Sequence, residues 1–163
     1  MVDLLFTVLI GVGATVVADL WGLIRKPLLG VAPPNYSLVG RWFGYFWRGR
    51  FFHRAIAKSS PIPGERALGW TAHYLIGVAF AGILVGFTGS EWLRHPELLP
   101  ALAVGIGTVA APFLVMQPGM GAGFAAARTP DPTSARLHSL LMHTVFGLGL
   151  FASGWFLHAF YPN

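Results

Sequence analysis

Four stretches of this chain run for about twenty residues with almost no charge, the length that crosses a bilayer core of about 30 Å at 1.5 Å rise per residue. They lie at about 2–24, 67–88, 98–117 and 137–160, and only the first carries ionised groups, Asp3 and Asp19. Charged residues make up 10% of the chain, against about a quarter in soluble domains. Six acidic and eleven basic side chains are too few to coat a soluble protein of 163 residues. The expected fold is therefore all-α: a four-transmembrane-helix bundle forming a single membrane domain over residues 1–163, with lipid covering much of its surface.

The connections carry the charge that orients such a bundle. Arg25, Lys26, Arg41, Arg48, Arg50, Arg54, Lys58 and Arg66 all fall in the loop at about 25–66, which positive-inside logic assigns to the cytoplasm. Glu91, Arg94, His95 and Glu97 between the second and third spans suit the outer side, and Arg128 and Arg136 return the next connection inward. Both termini are then expected outside. The first span has no basic residue before its apolar run, unlike a secretory signal, so it is expected to remain as a helix. Trp21 and Trp70 fall near one expected interface, and Trp92 and Trp155 near the other.

The long loop reads YSLVGRWFGYFWRGRFFHRAIAK between the Pro-rich hinges VAPPN and SSPIPGE. Leu38, Val39, Trp42, Phe43, Phe46 and Trp47 recur at helical spacing, with Arg41 and Arg48 beside that stripe. This pattern predicts an amphipathic interfacial helix on the inner leaflet, or a docking surface for a partner subunit formed by Arg41, Trp42, Phe43, Phe46, Trp47 and Arg48. The net charge of +5 is interspersed with aromatic residues, which favours headgroups over nucleic acid as the anionic partner. Glu65, entering the second span, is expected to cap it.

Ionisable groups inside a span are costly, so each needs a compensating reason. Asp19, His73 and His143 lie six or seven residues from Arg25, Arg66 and Arg136, a common depth of about 9 to 10 Å. Each sits on a stripe of small residues: Gly11, Thr15, Ala18 and Gly22 in the first span, Gly69, Gly77 and Ala81 in the second, Ser139, Gly147, Gly154 and His158 in the fourth. Such stripes let membrane helices approach closely. The third span ends in MQPGMGAGF, where Pro118 disfavours helical geometry at Gln117. A non-helical segment is expected there, with Gln117, Met116 and Met120 walling the same polar cluster.

Several readings of Asp19, His73, Gln117 and His143 stay open. They can be hydrogen-bonded struts that fix helix register. Two His and a carboxylate, Asp19, His73 and His143, can hold a divalent metal or relay protons. His73 and His143 could also ligate haem b axially, or the pocket could take a quinone or lipid headgroup. No cysteine occurs, so disulfides and thiolate sites are excluded. No GxSxG, HExxH or Walker loop occurs, and the enzymatic expectation leans to none. His53, His95, His138 and His158 are expected to be solvated near the interfaces. Four spans are few for a transporter monomer, so transport would call for a homo-oligomer or a larger membrane complex.

Four long stretches, GVGATVVADLWGL, the pieces NYSLVGRW and RGRF, PIPGERALGWTAHYLIG, and AAPFLVMQPGMGAGFAAARTP, resemble the bacterial family of small integral membrane proteins called domain of unknown function 2938. The resemblance runs along most of the chain. It implies a multi-span inner-membrane protein and supplies no activity and no catalytic residue.

Overall fold

The computed structural model describes residues 1–161 and is helical throughout, with no strand among the described residues. Four long helical segments follow the apolar runs: α1 (Val2–Leu29), α3 (Glu65–Thr88), the broken third span from Leu98 to Met120, and α7 (Pro132–Leu157). Each is long and apolar enough to cross a membrane. Between them lie α2 (Tyr36–Phe46) in the long loop and the short α4 (Glu91–Arg94).

The spans overrun their expected ends. α1 continues through Pro27 to Leu29 and closes on Gly30, whose left-handed conformation (φ 69°) lets its N–H reach the Lys26 carbonyl. Arg25, expected to mark the solvated boundary, is instead buried, and its guanidinium donates to the Ala32 carbonyl. An arginine so placed satisfies the chain leaving the helix, where backbone carbonyls lose their helical partners.

The third span divides into α5 (Leu98–Gly107), a wide π-helical turn (Pro112–Met116) and α6 (Gln117–Met120). Gln117 is helical (φ −62°, ψ −46°), contrary to the expectation from Pro118. In a regular helix the Pro118 ring would crowd the carbonyl four residues back. Here the preceding turn widens, with the Gln117 N–H bonded to the Pro112 carbonyl, and shifts that register. Unwinding comes later, at Gly121 (φ 96°), Gly123 (φ 77°), Ala125 (φ 45°) and Ala126 (φ 60°).

The chain divides into two compact units. The first comprises Met1–Pro33, Tyr74–Thr108 and the described residues from Leu141 on. Its core joins Ile10, Ala14, Leu84, Leu93, Ala101 and Leu150. The small stripe of α1 meets α3 as expected, a Cβ on Gly11 standing 2.5 Å from the Val78 Cα, while Gly147 of α7 meets Gly105 of the third span, which no expected stripe included, a Cβ on Gly105 standing 2.4 Å from the Gly147 Cα. Only backbone without side chains fits at those crossings. Trp92, expected in an interfacial belt, is buried in this core, with its Nε1 donating to the Glu97 carbonyl at 3.1 Å. An indole that satisfies its own polar tip inside the chain has no need of the interface.

The second unit comprises Pro34–His73 and Val109–Leu140. Its core gathers Trp42, Tyr45 and Ile56, with Met116 and Met120 packed against them. The long loop is thus folded onto the end of the third span.

Candidate functional site: a buried ion pair and an unpartnered amide

α2 begins at Asn35, whose side chain accepts from the Ser37 N–H, and it meets the first turn of α3 at two glycines. A Cβ on Gly40 would lie 1.9 Å from the Glu65 carbonyl oxygen, and one on Gly69 would lie 1.8 Å from that of Tyr36. That approach brings Arg41 onto Glu65. The guanidinium donates through Nε and Nη2 to the two carboxylate oxygens, each at 2.8 Å. Its Nη1 donates to the Ser59 carbonyl at 2.8 Å and to those of Ile56 and Ala57 at 3.4 Å. Glu65 also accepts from the Ile62 N–H at 3.1 Å, reaching back three residues as a capping side chain does. The bond to Glu65 raises the Arg41 pKa above its ordinary value despite burial.

The expected surface stripe is therefore divided. Arg41 and Trp42 are buried. The indole of Trp42 donates to the Phe51 carbonyl at 2.8 Å and lies against Gly119, where any Cβ would be 2.7 Å from its Nε1. Phe43 and Phe46 are half-buried beside it, while Trp47 (92% exposed) and Arg48 face outward. Tyr45 donates to the Ser60 carbonyl at 3.0 Å. His53, expected to be solvated, is buried against the Tyr45 ring and shares a 3.0 Å hydrogen bond between Nδ1 and the Ser59 hydroxyl. Burial, reinforced by the nearby Arg50 charge, lowers its pKa below the ordinary histidine value. Its backbone N–H donates to the Gly119 carbonyl at 2.8 Å, joining the loop to α6.

On α6 itself, the Oε1 of Gln117 is buried without a hydrogen-bond partner, as is the His53 Nε2. Buried polar atoms nearly always have partners, so an orphaned acceptor calls for an explanation. Both atoms belong to segments that the His53–Gly119 bond ties together.

The other members of the expected cluster each have partners. Asp19 accepts from the Tyr74 hydroxyl at 3.1 Å. His143 Nδ1 lies 3.0 Å from the Thr108 hydroxyl and 3.2 Å from the Gly105 carbonyl. His73 stacks on Tyr36, ring centroids 4.1 Å apart, with Trp70 at its edge. Among the described residues no group of three or more His, Asp or Glu side chains is arranged to hold a metal ion, which leaves the metal set Asp19, His73 and His143 without geometric support. No sequence pattern singles out Tyr74, Thr108 or Tyr36 as partners of these groups. Tyr74 adjoins His73 in sequence, yet no periodicity marks it as the partner of Asp19. Arg41–Glu65 had a signal: Glu65 is the first acidic residue after Asp19, with seven basic residues between them.

These features define a multi-pass helical membrane protein with a folded polar loop. The profile of the family described as "Protein of unknown function (DUF2938)" matches residues 8–157, and the chain belongs to that family. No curated protein and no solved structure matches it.

Proposed function

We propose that this is a non-enzymatic membrane protein that holds or passes a small ligand or ion at the polar groups of its spans, with Gln117 as the residue that receives it. The observation that carries the reading is the buried, unpartnered Gln117 Oε1 beside a π-helical turn. Such turns recur at functional sites, and irregular backbone at membrane depth is tolerated where it is packed in protein or lines a cavity. A lone acceptor suits a cation or a hydrogen-bond donor. Asp19 and His143 serve in this reading as polar struts between spans, and His73 as a contact to α2, each already engaged.

The proposal places the chain in a bacterial inner membrane, with the basic loop in the cytoplasm and both termini outside, supported by the eight basic residues of that loop. A rival reading, a structural subunit of a larger membrane complex, draws on the outward-facing Trp47 and Arg48.

Native mass spectrometry of the full-length protein, extracted under mild conditions, tests the ligand reading. The wild type is expected to carry a small-mass species that Gln117→Leu loses while remaining folded. Identical bare masses, with Gln117→Leu the more stable protein, would leave Gln117 a packing residue and favour the subunit reading.

A further inference from the structure

A second surface lies on the same loop, outside the spans. After α2 the chain turns at Gly49 (φ 64°), with the N–H groups of both Arg48 and Arg50 bonded to the Tyr45 carbonyl at 3.0 and 3.1 Å. This turn holds two guanidinium groups on one ring: the Arg48 Cζ is 5.4 Å and the Arg50 Cζ 5.3 Å from the Tyr45 centroid. Tyr45 is 3% exposed and anchored through its hydroxyl, so the platform is fixed by the core. Arg48, Arg50 and Arg54 are exposed, and no acidic residue occurs between Asp19 and Glu65 to neutralise them. Beside them stand three apolar rings in the open: Trp47 at 92%, Phe51 at 51% and Phe52 at 76% exposure.

We propose that this turn binds the phosphate headgroups of anionic phospholipids in the leaflet on the loop's own side. Arg48 and Arg50 take the phosphate oxygens, and Trp47, Phe51 and Phe52 enter the headgroup–acyl boundary. Guanidinium groups match phosphate geometry, and aromatic rings prefer the interface. A free phosphate ion would use the arginines and leave the rings in water, so the three rings select lipid as the source. The element that the sequence pattern assigned to this task, the stripe through Trp42, is packed inside the chain instead, and the surface has moved one turn along.

The chain has no cysteine, so Phe52→Cys introduces a unique thiol for a nitroxide in the full-length protein. The protein is reconstituted in vesicles of phosphatidylglycerol mixed with phosphatidylcholine, and in phosphatidylcholine alone. Power-saturation resonance is expected to show the label open to oxygen and shielded from a water-soluble nickel complex in the anionic vesicles. The Arg48→Gln/Arg50→Gln pair should lose that insertion, each arginine near an anionic surface contributing about a fivefold preference. Resistance of the loop to trypsin should be unchanged at the remaining sites, because both side chains are exposed.

A label equally open to nickel in both vesicle types overturns the proposal. So does equal depth in phosphatidylcholine alone and in the double variant, since charge would then be irrelevant. Shielding from oxygen and nickel together would mark a protein contact, and displacement by inorganic phosphate would mark a free-anion site; either result also overturns it.

Discussion

The two compact units reach a closed interior by different means. In the first, α1, α3, α5 and α7 meet through glycine and other small residues, and what fixes the crossings is the absence of side-chain atoms. In the second, a forty-residue loop is held by a bidentate ion pair, indole and phenol hydrogen bonds and a small aromatic core. The difference follows from the solvent each segment meets. Inside a bilayer apolar contact gives no preference for protein over lipid, so shape and close approach decide. Outside it water competes for the loop's carbonyls and guanidinium groups, and directional bonds in a dry interior decide.

The largest effect should come from breaking the ion pair. Arg41→Ala leaves Glu65 in a mostly buried place, its side chain 17% exposed, beside emptied carbonyls of Ile56, Ala57 and Ser59. Stranding one partner of a buried pair costs about 3–5 kcal/mol. Trypsin cleavage at Arg48, Arg50, Arg54 and Lys58 should rise steeply in that variant. Replacing both partners, as Arg41→Met/Glu65→Gln, should cost less than the sum of the single changes. Additivity would show that the two side chains act independently.

An intermediate effect belongs to the first unit and has opposite signs at two glycines. Gly105→Ala puts a Cβ 2.4 Å from the Gly147 backbone, and such overpacking costs about 1–3 kcal/mol. Gly82→Ala meets nothing within 4 Å and should stabilise by about 0.5–1 kcal/mol through helix propensity. Thermal unfolding in detergent distinguishes them. Equal and small effects at both positions would mean that close approach does not hold this unit.

The smallest effect is a pH dependence confined to the second unit. Because burial lowers the folded-state pKa of His53, the unfolded chain binds more protons there. The associated stability is therefore present above the unfolded value of about 6.5 and is lost as the pH falls through the lower folded value. Loop protease resistance should decline on acidification, and His53→Gln should flatten that decline. A loop that becomes more resistant at low pH would reverse the assigned sign.

The four spans were legible because apolar run length is a local property, and the stripes of Gly11, Gly77 and Gly147 partly so, since small residues at helical spacing mean close approach wherever they fall. Helix ends were less legible. α7 starts at Pro132 because proline suits a first turn, although the apolar run begins only at Leu137. The loop's interior was hidden by distance: Arg41 and Glu65 are 24 positions apart, and no period links them. The same limit applies to Gln117, where a local rule about Pro118 pointed to unwinding and a widened turn several residues earlier absorbed the strain. Trp42 and Trp47 both fall in the aromatic pattern but stand five residues apart, on different sides of a helix, and the packing against Gly119 marks Trp42 as the buried ring.

The loop is a folded part of the protein, held by Arg41–Glu65 against the first turn of α3 and by the His53–Gly119 bond against the end of the third span. Hydrogen–deuterium exchange at the His53 amide tests it most directly, since that N–H donates to the Gly119 carbonyl at 2.8 Å. The amide should exchange slowly in the wild type and lose most of its protection in Arg41→Ala, while amides in the core of α1 remain unchanged. Exchange at His53 as fast as in an unstructured peptide in the wild type, or protection indifferent to the loss of Arg41, would contradict the account.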